Sequence, residues 1–227
     1  MKRKVELNAD IGEGMPWDEA LLDWITAANV GCGVHAGSFD ETLRVASLCR
    51  EREIKVGAHP GYPDREEFGR KSPKVGKRRE WAKSVIEQLE AMSRAIQLDY
   101  VKPHGALYHD LLHPKDDYFV AGPMKSWLRT SGLPLLGLAN SPHQWIADWA
   151  GVRFIAEGFS ERGYNYEGNL IARGEVGAEL KSLDQIVAQS LNLARTVDSL
   201  CIHGDREGCV DIARVVRIAL IDAGYSE

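Results

Sequence analysis

The chain has 227 residues, of which 44% are hydrophobic and 27% charged, and a formal net charge of −5. This is the balance of a soluble globular protein with enough apolar material for a sizeable core. The acidic excess argues against a nucleic-acid partner, whose footprint would be a basic domain, and no stretch reaches the length of a membrane span.

The opening MKRKVEL runs straight into a strand pattern without an apolar signal region, so a cytoplasmic location is expected. Lys4 to Ile11 forms the first predicted strand. Val5, Leu7 and Ala9 alternate with Glu6, Asn8 and Asp10, which directs an apolar set to one face and a polar set to the other. In a barrel the polar set would point into the lumen, with Asn8 and Asp10 approaching its mouth. Gly12-Glu13-Gly14 follows as a flexible acidic loop, and Asp18 to Ala28 reads as a helix with Leu21, Leu22, Ile25 and Ala28 on one side.

The second strand is expected to end at His35, and Ser38-Phe-Asp-Glu41 is a capping box opening the next helix. Strand three, Ile54 to Ala58, delivers His59 into a turn-rich loop that continues through Arg70. The basic run Lys71 to Arg79 lacks interleaved aromatics and reads as a solvated approach to the longest helix, whose stripe is Trp81, Val85, Ile86, Leu89 and Ile96. Tyr100-Val101 is a short strand opening into Lys102-Pro-His104-Gly, with Tyr108 following. Between Asp116 and Arg129, Gly122-Pro123 is expected to kink or split a helix. Strands are expected at Leu133 to Ala139, Val152 to Ala156 and Ser199 to Ile202. Glu157 to Gly177 has no clear periodicity and reads as a long functional loop. Helices begin at Ser182 and run from Cys209 to Ala223.

One design recurs along this order. Four of the seven histidines, His35, His59, His104 and His203, follow strand-like runs and are each followed within two residues by glycine. Histidine is the commonest neutral-pH acid, base and metal ligand, so one site assembled from several strand ends is expected. The cysteines Cys32, Cys49, Cys201 and Cys209 form no Cys-x-x-Cys pair and read as reduced thiols, with Cys201 on the same strand face as His203. The tryptophans Trp17, Trp24, Trp127, Trp145 and Trp149 read as core or interface residues. About seven strand–helix alternations without a linker point to one α/β domain over residues 1 to 227, most simply a (β/α) barrel, with an open doubly wound sheet as the alternative. The phosphate fingerprints of the latter are missing: Gly12-x-Gly14 and Gly31-x-Gly33 lack a third glycine, and Gly69 to Lys77 lacks Walker A spacing.

The motifs LNADIGEG, ITAANVGCGVHAG, VGAHPGYPD with FGR, VKPHGALY, ERGYNYEGNLIAR and CIHGD stand in one order across nearly the whole chain. Together they resemble the LamB/YcsF family of lactam-utilisation proteins. The segment between Gly14 and Asp18 is shorter than the family pattern, and Ser38 stands where an acidic residue is frequent. The resemblance implies a distorted seven-stranded β/α barrel of the glycoside hydrolase/deacetylase kind. It implies cleavage of 5-oxoproline to L-glutamate coupled to hydrolysis of ATP, with Mg²⁺, in a complex with subunits B and C; self-association is left open.

A lactam-opening site needs cations for phosphate and substrate carboxylate, a base for water and donors for a developing oxyanion. The expected catalytic set is therefore Asp10, Glu13, His59, Lys102, His104 and His203. Asn8, Arg70, Tyr108, Arg162 and Arg173 are expected to bind substrate or phosphate, with ion pairs from Arg162 and Arg173 to Glu161, Glu167 or Glu175 as their plainer role. Two other classes stay open: a zinc- or manganese-dependent deacetylase or amidohydrolase without ATP, with Asp10, His35 and His59 as the metal set, and a non-catalytic binding protein whose chemistry resides in its partners.

Overall fold

The computed structural model describes residues 4–113 and 118–225. Seven parallel strands follow one another around a closed barrel: β1 (Glu6–Ile11), β2 (Ala27–Gly31), β3 (Lys55–His59), β4 (Tyr100–Val101), β5 (Leu135–Leu138), β6 (Phe154–Phe159) and β7 (Ser199–Ile202). Each pairs with the next, and β7 closes on β1 from Glu6 opposite Ser199 to Ala9 opposite Ile202. Closure eliminates the open doubly wound sheet and pairs both edges of every strand.

The helices are α1 (Asp18–Leu21), α2 (Phe39–Glu51), α3 (Arg78–Ala95), α4 (Gly105–Asp110), α5 (Tyr118–Ser131), α6 (Pro142–Ala150), α7 (Leu183–Leu193) and α8 (Cys209–Asp222). None is long and apolar enough to cross a membrane among the described residues. Their apolar stripes meet the outward-facing residues of the strands, so the main core is a ring around the barrel: Val5, just before β1, and Leu7 and Ala9 of β1 pack there with Val45 of α2 and Val216 of α8. Trp17, Trp24 and Trp127 are half-buried against this core, whereas Trp145 is exposed and stacks on Trp149.

Four expectations change. The helix foreseen over Asp18 to Ala28 stops at Leu21, because Thr26 donates its backbone N–H to Leu7 at 2.8 Å and begins the pairing of β2 with β1. That strand ends at Gly31, short of His35. Gly33 has φ 77° and leaves no room for a side chain, since a Cβ would lie 2.6 Å from the Phe39 nitrogen. α5 runs unbroken through Pro123; burial of Val120, Ala121, Met124 and Leu128 outweighs the roughly 3 kcal/mol that an interior proline costs. The part of that helix expected at Asp116 lies outside the described residues. β6 continues through Glu157 to Phe159, so the segment read as a loop from Glu157 begins inside the barrel.

The strand residues of opposite parity fill the lumen in layers. At the bottom Ala27, Tyr100, Leu136 and Ile155 form an apolar plug. Above it a polar chain crosses the lumen: Asn8 Nδ2 donates to Ser199 Oγ at 2.7 Å, Asn29 Nδ2 to Asn8 Oδ1 at 2.7 Å, and the Tyr100 hydroxyl to Asn29 Oδ1 at 2.7 Å. The Tyr100 ring reaches across because β3 has no side chain at Gly57; a Cβ there would sit 2.2 Å from Tyr100 Cε2. Gly57→Ala is therefore expected to lower the unfolding free energy by about 1–3 kcal/mol through overpacking. Urea denaturation monitored by circular dichroism measures this, and an unchanged midpoint would contradict the packed lumen.

Candidate active site

The third layer of the lumen is ionic. Lys102 follows Tyr100 by two residues and so faces inward; its Nζ lies 2.9 Å from Asp10 Oδ1, 3.2 Å from Glu157 Oε2 and 2.9 Å from Cys201 Sγ. Asp10 also accepts from Asn29 Nδ2 at 2.7 Å. The side chains around this ammonium are all buried. Burial alone would raise the Asp10 carboxyl, but Lys102, with His59 and His203, outweighs it and holds Asp10 well below the carboxylate range. Burial likewise disfavours the charged lysine, and Asp10, Cys201 and Glu157 reverse that, so Lys102 remains an ammonium. Glu157 is pushed up by burial, with Lys102 only partly offsetting the rise.

Above this floor stand three buried imidazoles and a buried carboxyl. His59 ends β3, His104 precedes α4, and His35 comes from the loop after β2; His35 and His104 stack at 3.9 Å between ring centroids. Glu13 Oε1 lies 3.0 Å from His35 Nε2 and 3.4 Å from His104 Nδ1. Burial raises the Glu13 carboxyl to about 8 and lowers His35 and His104 to about 4, with His59 also driven well below the usual imidazole range. The three rings are thus neutral at neutral pH.

The opposite wall carries His203, two residues beyond Cys201. Its Nδ1 is in close contact with Glu161 Oε1, which also accepts the His203 backbone N–H at 3.1 Å. Burial would raise Glu161, but His203 outweighs it and keeps the carboxyl low. The ring stacks on Phe159 with 5.2 Å between centroids. A histidine with Nδ1–H held by a carboxylate presents Nε2 as a base.

One cavity of about 470 Å³ opens among these groups at the C-terminal ends of the strands, where chemistry sits in β/α barrels. Asp10, Glu13, His59, Lys102, His104 and His203, the expected catalytic set, all contribute to its walls. So do Arg70, Tyr108, Arg162 and Arg173. Arg70 pairs with Asp205 and lies over the Phe68 ring at 5.0 Å. Arg173 reaches Glu179 at 3.5 Å. Arg162 is buried and spends two donors on the backbone, Nε to Ala178 O at 3.1 Å and Nη2 to Ile171 O at 2.7 Å. It braces the loop that roofs the cavity, and the partners of Arg162 and Arg173 are thus other than the Glu161, Glu167 or Glu175 that the sequence suggested.

Two expected groups sit differently from the rest. Asn8 lies beneath Asp10 in the polar chain and is not among the residues that line the cavity. The expected metal set of Asp10, His35 and His59 does not converge: Asp10 is engaged by Lys102, and His35 stands behind Glu13, outside the cavity wall. Among the described residues, those that bring donor atoms within 4.8 Å of one another are Glu13, His59 and His104. Sequence reasoning also passed over Glu157 and Asp205, and took Glu161 only for a surface ion-pair partner of arginine. Glu157 and Glu161 were discoverable, because Ile155, Glu157, Phe159 and Glu161 continue the period-two alternation of a strand and its extension. Ser38, the departure after His-Ala-Gly, caps α2 by accepting from the Glu41 N–H at 3.1 Å.

The LamB/YcsF family model matches residues 5–226. The chain is 40% identical to the A subunit of 5-oxoprolinase from Streptomyces avermitilis over 97% of both sequences. It is 37% identical to the corresponding A subunit from Paracidovorax citrulli, over 98% of this chain and 97% of that one. Among solved structures, a lactam utilization protein from Thermus thermophilus superposes with a TM-score of 0.82 at 30% identity over 97% of both chains. A deacetylase with bound substrate superposes with a TM-score of 0.53 at 15% identity, over 99% of this chain and 87% of that one, a likeness of fold alone. The chain belongs to the LamB/YcsF family, and its barrel shares the fold of that deacetylase.

Proposed function

We propose that this chain carries the active site for opening the lactam of 5-oxoproline (pyroglutamate) to L-glutamate, with ATP consumed to ADP and phosphate, in a complex with subunits B and C. The observation that carries the reading is the His203–Glu161 pair in a cavity that also presents Arg70, Arg173 and the Lys102 floor. This set supplies an oriented base and cations for a carboxylate and for phosphate, which is what the chemistry requires.

A five-membered lactam is a stable amide, so its carbonyl must be activated. In the proposed course the ring carbonyl oxygen attacks the γ-phosphorus of ATP and ADP leaves, giving an O-phosphorylated lactam. His203 Nε2 takes a proton from water, whose oxygen adds to the ring carbon. The C–N bond then breaks, the nitrogen is protonated, and γ-glutamyl phosphate remains; a second water releases phosphate and leaves glutamate. Arg70 and Arg173 hold the substrate carboxylate and the transferred phosphoryl group. The ammonium of Lys102, fixed beneath them, favours the anionic intermediates electrostatically. Magnesium accompanies the nucleotide phosphates.

A second reading, a metal-dependent amide or acetyl hydrolase without ATP, is favoured by the convergence of Glu13, His59 and His104. Glutamate release by the tagged chain, captured together with its partner subunits, separates the two. Release is expected only with ATP, and in His203→Gln a fall in kcat of about 10²–10⁴ is expected with the complex intact. Release equally fast without ATP, or full activity in that variant, would contradict the proposal. Lys102→Met is expected to cost about 3–5 kcal/mol of folding free energy, read from urea denaturation, because it leaves Asp10 buried without its cation.

A further inference from the structure

The histidines His59 and His104 meet through the wrong halves of their rings. His59 Nδ1 lies 2.8 Å from the Lys102 carbonyl oxygen, and His104 Nε2 lies 2.8 Å from the Phe68 carbonyl oxygen. A carbonyl only accepts, so both of these nitrogens carry protons. A neutral imidazole has one N–H; His59 Nε2 and His104 Nδ1 therefore present lone pairs, and they face each other at 3.0 Å. Glu13 Oε1 lies 3.4 Å from the second of these nitrogens and 3.8 Å from the first, and Asp10 Oδ2 lies 3.7 Å from His59 Nε2. Four electron-rich atoms on buried residues thus surround one small volume at the cavity wall. Such an arrangement needs a proton or a metal cation among these atoms, and the convergence of three donor groups within 4.8 Å of one another is the geometry of a metal site.

We propose that Glu13, His59 and His104 bind a divalent transition-metal ion, with Asp10 Oδ2 at the edge of the same site. Two imidazoles and a carboxylate suit zinc, manganese, cobalt or iron better than magnesium or calcium, which prefer all-oxygen sets. Two nitrogens 3.0 Å apart, each about 2.1 Å from one ion, would subtend roughly 90°. That is the angle between neighbouring ligands of a six-coordinate ion and leaves positions open toward the cavity. The contacts to the Lys102 and Phe68 carbonyls fix the tautomer and orientation of both rings, and His35 braces Glu13 from behind, as outer partners of metal ligands do. The inference holds whether the lactam is opened with ATP or without it.

The test uses the chain stripped with chelator and titrated with cobalt(II), read by visible d–d absorption and equilibrium dialysis. One ion per chain is expected, with affinity reduced about 100-fold or more in His104→Ala and in Glu13→Gln. Far-ultraviolet circular dichroism reports whether each variant is folded. If neither is, displacement of cobalt by zinc and imidazole nitrogen resonances of the native chain replace them. Metal should then shift the His59 Nε2 and His104 Nδ1 signals. Absence of saturable cobalt binding, binding unchanged in both folded variants, or a single proton bridging the two nitrogens in the presence of metal would overturn the proposal.

Discussion

An ammonium in the middle of a barrel determines much of what surrounds it. Lys102 is almost entirely removed from water, and an unpaired buried charge costs several kcal/mol. The compensation comes from across the lumen: Asp10 from β1, Glu157 from β6 and Cys201 from β7. These partners are distant in sequence and meet only when the barrel is closed, so strand register and ion pairing specify the same structure. The Ser199–Asn8–Asn29–Tyr100 chain beneath ties the carboxylate side of the floor to strands β1, β2, β4 and β7. Asp10 cannot move without disturbing both layers.

The fixed floor divides the site electrically. On one side Asp10, Lys102 and Glu157 form a layer held together around the buried cation. Above it burial keeps His35, His59 and His104 neutral and raises Glu13 to about 8, while on the far wall His203 and Glu161 are close partners. Titratable groups driven apart by their surroundings, within one cleft, mark a place where chemistry is done. The arrangement suits a reaction that needs a base at one wall, an electrophile at another and anionic intermediates in between.

Much of this was legible because the signal was geometric. Strand periodicity directed Asp10 toward the lumen, and the repeated histidine–glycine endings pointed to one site built from several strands. What stayed hidden depended on exact strand ends and on tertiary closeness. Stopping the sixth strand at Ala156 turned Glu157 into a loop residue, although it is the second carboxylate on Lys102. Extending the second strand to His35 made that residue look like a ligand, whereas the glycine turn after Gly31 sends it behind Glu13. Arg162 looked like a substrate clamp because an arginine in an aperiodic segment has no sequence feature that foretells two backbone carbonyls as its partners.

The central claim is that the lactam is opened in the cavity above Lys102. The measurement that tests it most directly is a structure of the assembled enzyme with 5-oxoproline and a non-hydrolysable ATP analogue bound. Density for the lactam is predicted at the C-terminal mouth of this barrel, with its ring carbon facing His203 and its carboxylate near Arg70 or Arg173. A lactam bound to a partner chain instead, with this cavity holding no part of it, would contradict the claim.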